Sequence, residues 1–146
     1  MNFRKATYED LPRVFQLCLE FCEHAKICYQ PEYMFCTLQN IVTSSNAAAW
    51  VAEVDGKFVG IFAGFIDRDC YSGELYAMDR FVYSIPAYRN ADVAYSLYKL
   101  FMSWAKGLGA SRALLSILCS DNNERLEQTV RWLGYDRRGY LLEKVL

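Results

Sequence analysis

Apolar runs of period two alternate with amphipathic stretches of helical period along the 146-residue chain, and this order predicts an α/β (α+β) fold with a central mixed, mostly antiparallel sheet flanked by about four helices. Two stretches carry the prediction. "AAAWVAEVDGKFVGIFAGFID" joins two apolar runs through Asp55-Gly56, the dipeptide that a tight hairpin turn with positive φ favours. "IPAYRNADVAYSLYKLFMSWAKGLGA" opens on a proline-led turn and continues as a long amphipathic helix. Its predicted buried stripe is Val93, Ala94, Leu97, Phe101, Trp104, Ala105 and Leu108, with Ser96, Lys99, Ser103 and Lys106 toward water and Gly107 and Gly109 at its end.

The remaining elements follow in order. "FRKA" reads as a short strand, and "TYEDLPRVFQLCLEFCEHA" as a helix capped by Thr7, with Glu9 and Asp10 at its positive end and Pro12 in its first turn. Leu11, Val14, Phe15, Cys18, Cys22 and Ala25 recur at helical spacing, which assigns the cysteines to the core and leaves His24 on the surface. A second helix is expected over Pro31 to Val42. "GELYAMDRFVYSI" reads as a long third strand and "SRALLSILC" as a short, almost wholly apolar central one. Asp121 and Glu124 form a capping arrangement for a helix with Leu126, Val130 and Leu133 on its apolar side and Gly134 at its end, and "YDRRGYLLEKVL" closes the sheet.

This length supports one domain, residues 1–146, with a substantial core. No run approaches the length of an apolar membrane span and the first ten residues are polar, so a cytoplasmic protein without a membrane partner is expected. Six cysteines without a secretory leader argue for reduced thiols, and the spacing of Cys18, Cys22, His24, Cys28 and Cys36 lacks the paired knuckles of a zinc site, so no metal is expected. Residues 1–79 carry 6 Lys/Arg against 11 Asp/Glu, and residues 80–146 carry 10 against 6. Without a basic run, a nucleic-acid partner is not expected.

A strand, a loop and a helix N-terminus in sequence make a generic anion site, because the first amides of a helix have no partner within it and its dipole adds to them. The order of elements over nearly the whole chain resembles the GCN5-related N-acetyltransferase (GNAT) superfamily. The family's loop signature is V-x-P-x-x-(Q/R)-x-x-G-x-(G/A), and "SIPAYRNADVA" supplies Pro86, Arg89 and Ala94 at matching positions. Asn123 and "WLGY", with Gly134 and Tyr135, match the later segment. The resemblance implies a GNAT fold, acetyl-CoA as co-substrate and direct attack of a primary amine on the thioester. It implies that Tyr83, Ser84, Ile85, Arg89, Ala91, Asp92, Val93, Ala94, Tyr95, Ser96 and Asn123 bind the co-substrate, with its pyrophosphate on the loop amides. Glu74 and Asp79 are candidate bases on the strand that would line the acyl end, Tyr135 is a candidate acid, and Cys119 would stand near the thioester.

Two positions depart from the family pattern. Asp92 replaces the loop glycine, as in some phage-encoded relatives, and unit charges 4 Å apart at an effective dielectric near 20 repel by about 4 kcal/mol. Val130 stands where many members carry the tyrosine that protonates the departing thiolate, and losing a general acid costs about 10² to 10⁴ in rate. The resemblance implies an N-acyltransferase acting on a small-molecule or peptidyl amine, with a homodimer left open. A degenerate domain that binds a partner without turnover is the alternative, and a transferase of another acyl donor or of a nucleotide base the third reading. Asp67, Asp69, Glu74 and Asp79 lie along the strands expected on the acceptor side, which favours a cationic acceptor with Tyr71 and Tyr76 stacking on it.

Overall fold

In a computed structural model that describes residues 1–89, 91–116, 123–138 and 144, the hairpin forms where the turn dipeptide placed it, with Asp55 at φ 48° and Gly56 at φ 77°. The elements are β1 (Asn2–Lys5), α1 (Leu11–Ala25), α2 (Pro31–Thr43), β2 (Ala47–Val54), β3 (Lys57–Arg68), β4 (Leu75–Ser84), α3 (Ala91–Gly107), β5 (Arg112–Leu114) and α4 (Asn123–Trp132). The strands lie in numerical order, antiparallel from β1 to β4 and parallel between β4 and β5. This is the expected mixed, mostly antiparallel sheet. The described residues fall into two compact units, Met1–Ser116 with the sheet and three helices, and Ile117–Leu146 with α4.

Alternation along β2 and β3 divides the core of the first unit into two layers. Ala47, Ala49, Val51, Ile61 and Ala63 meet Leu11, Val14, Leu17, Cys18, Met34, Leu38 and Ile41 of α1 and α2. Ala48, Trp50, Ala52, Phe62 and Ile66 face the other way and meet Val93, Leu97, Phe101 and Ala105 of α3. The stripe on α3 is therefore narrower than its apolar residues: Ala94 is exposed, Leu108 is 44% exposed and Trp104 only partly buried, while Ser96 is not on the water side but half-buried. On α1, Ala25 is exposed and Leu17 belongs to the core instead.

Two glycines in β3 set the depth of α3. A Cβ on Gly60 would fall 3.0 Å from Val93 Cγ1 and 3.3 Å from Leu97 Cδ1, and one on Gly64 would fall 2.6 Å from both the Met78 carbonyl oxygen and Phe101 Cε2. Phe101 stacks on Phe62 at 4.6 Å between centroids and meets Trp50 edge-on at 6.1 Å. The helix ends in a Schellman arrangement, with Gly109 at φ 88°, its N–H on the Lys106 carbonyl and the Ala110 N–H on that of Ala105.

Asp10 stands at the helix start as expected and has a further role there. Residues Tyr8–Asp10 form a 3-10 turn ahead of α1, and Asp10 is 3% exposed. Its carboxylate accepts both Arg4 guanidinium nitrogens at 2.6 and 2.9 Å, Arg13 Nη2 at 2.7 Å and the Thr7 N–H at 2.9 Å. Arg4 and Arg13 also reach Glu53, each at 3.2 Å, and Arg13 lies 4.1 Å over the Phe58 ring. The clamp ties β1 and the start of α1 to the hairpin. Arg4 above all, then the Thr7 and Arg13 donors, hold the Asp10 carboxyl well below its ordinary 3.8.

The cysteines divide. Cys18 and Cys22 are buried, and burial pushes the Cys18 thiol up to about 12 and raises Cys22 as well. Cys28, Cys36 and Cys70 are exposed, and His24 is exposed as expected. Among the described residues no cluster of His, Cys, Asp or Glu is placed to hold a metal ion, and no helix is long and apolar enough to cross a membrane. β5 is shorter and more open than the predicted central strand, with Arg112 exposed and Leu114 37% exposed. Cys119, Asp121 and most of the closing segment lie outside the described residues.

Gly64→Ala should destabilise the fold by about 2–3 kcal/mol, because neither strand backbone nor a stacked ring yields cheaply, and Phe101→Ala by about 3–5 kcal/mol. Urea unfolding measures both, and an unchanged midpoint for Gly64→Ala would contradict the seat. The second expectation concerns acid. A depressed carboxyl contributes stability above its ordinary 3.8 that is lost as pH falls through its folded value, so the advantage of wild type over Asp10→Asn should be full at neutral pH and shrink below 3.8. A difference independent of pH in denaturant titrations would show that the clamp does not depend on the charge.

Candidate active site

Among the described residues the sheet loses a partner strand along β4. β4 and β5 pair in parallel at Tyr76↔Arg112, Ala77↔Ala113 and Met78↔Leu114, and among the described residues the edge of β4 beyond Met78 has a strand partner only on its β3 side. An unpaired strand edge presents N–H and C=O groups in a row, ready for an extended ligand. At the same point β4 carries a bulge. Ala63 pairs with Phe81 and Gly64 with Asp79, so Arg80 is extra. Arg80 lies 4.8 Å over Phe65, and Phe81 and Tyr83 pack with the α1 and α2 layer, whereas Ala77, two residues before Asp79, belongs to the α3 layer.

Asp79 stands at this bulge, 8% exposed, and its Oδ1 accepts the Ser116 N–H at 2.6 Å. Burial raises its pKa above 3.8, opposed by the Ser116 amide and hydroxyl and by Arg80. Glu74 is elsewhere. It is exposed, five residues before Asp79 and thus about 16 Å away by strand rise, and accepts the Ser111 hydroxyl at 3.4 Å. The two candidate bases do not share a site.

The four carboxylates expected to line one surface are likewise separated. Asp67 ends β3, and Asp69 opens the β3–β4 turn, where its Oδ1 accepts the Tyr71 and Ser72 amides at 2.9 and 2.8 Å and its other oxygen pairs with Arg112. These bonds, the Ser72 amide first, lower its pKa to about 2. Tyr71 is 96% exposed beside them, and Tyr76 lies beneath Arg112 with 5.9 Å between guanidinium and ring. This group sits where β4 and β5 are still paired.

At its other end β4 runs into the loop. Tyr83 is buried on the α1 side near Phe21 and His24, and the Ser84 hydroxyl lies against Gly60. The Ile85 N–H donates to the Val59 carbonyl at 3.0 Å, and Pro86–Tyr88 form a 3-10 turn. Arg89 folds back on this loop, its Nε donating to the Ser84 carbonyl at 3.0 Å and its guanidinium 5.5 Å from the Tyr83 ring. The arginine of the loop signature thus braces the turn.

α3 then begins at Ala91. The amides of Ala91 and Asp92 belong to its first turn and have no acceptor within the helix, whereas those of Tyr95 and Ser96, four residues beyond them, fall inside the helical ladder. The open donor set is therefore narrower than the residues 91 to 96 singled out from the sequence. Val93 is fully buried against Gly60, which fixes the first turn to β3, and the Asp92 side chain is exposed.

In the second unit, Asn123 begins α4 and Gly134, at φ 91°, ends it, with the Tyr135 N–H on the Val130 carbonyl at 3.1 Å. Glu127 accepts Arg131 and Arg137, which lower its pKa. Tyr135 is half-buried. The bulge and the Asp79–Ser116 bond were missed in the sequence; only an acid inside an otherwise apolar strand marked the place. The seats for α3 had a signal, two glycines an even number of residues apart in one strand.

The family model described as "Acetyltransferase (GNAT) family" matches residues 11–135. No curated protein sequence matches the chain. Among solved structures, AAC(6')-Iy in complex with the bisubstrate analog CoA-S-monomethyl-acetylneamine is 17% identical with a TM-score of 0.79, the match covering 99% of this chain and 98% of that one. An aminoglycoside acetyltransferase from an uncultured soil metagenomic sample, in complex with sisomicin, is 14% identical with a TM-score of 0.77, over 99% and 95% of the two chains. Ribosomal-protein-alanine N-acetyltransferase from Brucella melitensis biovar Abortus 2308 is 16% identical with a TM-score of 0.72, over 99% and 100%. At such identities the likeness is one of fold.

Proposed function

The chain belongs to the acetyltransferase (GNAT) family, and from that membership we propose that it transfers an acetyl group from acetyl-CoA to a primary amine by direct attack. The observation that carries this reading is the sequence of features from the edge of β4 that has no strand partner among the described residues, past the turn braced by Arg89, to the first-turn amides of Ala91 and Asp92. Those residues fit the co-substrate's chemistry. The first-turn amides and helix dipole suit a pyrophosphate, and the strand edge from Asp79 to Ile85 suits the amide-bearing pantetheine arm. Within that edge the Ser84 carbonyl is already taken by Arg89 and the Ile85 N–H by the Val59 carbonyl, which leaves for the ligand the groups that do not face β3.

Acetyl-CoA supplies an activated acyl thioester, so the protein needs no nucleophile of its own. The amine nitrogen bonds to the carbonyl carbon, the C–S bond breaks, and the thiolate departs with the electron pair. An ammonium must lose a proton before attack, and the thiolate gains one afterwards. Orientation of the acyl group by a fixed strand edge supplies much of the remaining advantage.

A second reading, a GNAT domain that binds without turnover, is favoured by Asp92 in the loop and Val130 in α4. Calorimetric titration with acetyl-CoA and its desulfo and dephospho analogues, followed by a turnover screen, separates the two. Binding with release of free thiol supports transfer, absence of turnover with every acceptor supports the second reading whether or not acetyl-CoA binds, and absence of acetyl-CoA binding defeats the first.

The acceptor we propose is cationic, a polyamine, amino acid or lysine-like amine, on the excess of acidic residues in the first 79 positions. With Asp69 paired to Arg112 and Asp67 and Glu74 where β4 and β5 are still paired, this attraction is a diffuse one. Turnover of cationic acceptors should fall as salt rises from about 50 to 500 mM, and preference for anionic acceptors, or insensitivity to salt, would refute it. Asp92→Gly should tighten acetyl-CoA binding by about tenfold, less than the unscreened repulsion gives because the carboxylate is exposed. An affinity unchanged or weakened in calorimetry would make Asp92 a part of the helix start with no bearing on the anion.

A further inference from the structure

The main-chain ladder between β4 and β5 ends at Met78↔Leu114, and one step beyond it the Ser116 N–H donates to a side chain, Asp79 Oδ1, at 2.6 Å. The register of the three pairs, if continued, would set Asp79 beside Leu115 and carry the Ser116 amide to β4 backbone. Side chains leave a strand perpendicular to the sheet. An amide that bonds to one is drawn out of the ladder toward the face where that side chain lies, which for Asp79 is the face of Ala77 and α3. A carboxylate at this depth also calls for an explanation that packing does not give, because an apolar residue would fill the space without the cost of removing a charge from water. The bulge at Arg80 follows directly, so the register with β3 shifts next to the residue at which the β4–β5 pairs end among the described residues.

We propose that Asp79 is a positioning residue of the acetyl-transfer site: its carboxylate takes the Ser116 amide in place of the next main-chain rung and thereby holds β4 and β5 apart where the acyl end of the ligand lies. The inference rests on the reading that the free edge of β4 is the track of acetyl-CoA. It assigns Asp79 a task distinct from accepting the proton of the amine. An oxygen acceptor at this position is what the task requires, and a negative charge is not, since Ser116 offers a neutral N–H.

Three variants of the full chain separate the possibilities. Asp79→Asn keeps an oxygen acceptor and loses the charge, Asp79→Ala loses both, and Ser116→Pro keeps the carboxylate but removes the donor. Acetyl-CoA affinity is measured by calorimetry, and hydrogen exchange of residues 75–84 and 112–116 is followed without ligand. Asp79→Asn should resemble wild type in both. Asp79→Ala and Ser116→Pro should each weaken acetyl-CoA binding by about tenfold or more, the loss expected of a partly buried bond to a charged group, and should change exchange along β4 beyond Met78. Wild-type affinity and exchange in Asp79→Ala would overturn the proposal. So would an Asp79→Asn variant that keeps its affinity but loses turnover and the alkaline rise of the pH–rate profile, because the carboxylate would then be the proton acceptor. If wild type fails to bind acetyl-CoA, the functional reading falls alone, and a wild-type exchange pattern in Asp79→Ala or its disturbance still decides whether this residue parts the strands.

Discussion

The close approach of α3 to β3 is the constraint on which the site depends. Gly64 lets the Phe101 ring come within a distance that no Cβ would allow, and Gly60 does the same for Val93 and Leu97. A helix seated at two points about a turn apart cannot rock on the sheet without opening a cavity under one of them. Its N-terminal amides are thereby held at the end of the sheet where β4 finishes, and the Val59–Ile85 bond and the Arg89 brace bring the intervening loop to the same place. The open backbone groups are thus a consequence of core packing on the opposite side of the strand from α1 and α2.

The other half of the arrangement is a change of face. Up to Asp79 the odd-numbered residues of β4 share the α3 side with Ala77, and after the bulge Phe81 and Tyr83 pack with α1 and α2. One extra residue lets a single strand hold both layers of the core in sequence, and its local kink comes where the neighbouring strand is no longer bonded to it. An unbroken β4 would have kept its parity and placed Tyr83 against α3, without the Arg89 brace seen on the α1 side.

How far the sequence showed this depends on the range of the interaction. The Asp55-Gly56 turn, the stripes of α1 and α3 and the glycine stops are local, set by dihedral preference and periodicity, and they were legible. The Asp10 clamp was not, because Arg4 and Glu53, which complete it with Arg13, come from different strands and an acid near a helix start already had a sufficient local explanation. At the candidate site, the loop and its arginine could be read from spacing, whereas the separation of Glu74 from Asp79 needed the course of β4, and the use of Ser116 needed the register of β5.

The electrostatic setting of the site also differs from what residue counts implied. Most of the acids near the β3–β4 turn have local work: Asp69 folds the turn and binds Arg112, and Glu74 receives Ser111. Asp69, so paired, contributes less to a long-range field than its formal charge suggests, because the charge of Arg112 cancels it beyond a few ångströms. Asp79, buried and raised in pKa by desolvation, is less exposed than any of these acids and stands where the β4–β5 pairs end among the described residues. Selectivity for a cation would then come from whatever lines the approach to that point more than from net charge. The protein's surface steers weakly, and its backbone, fixed by two glycines and a bulge, does the placing.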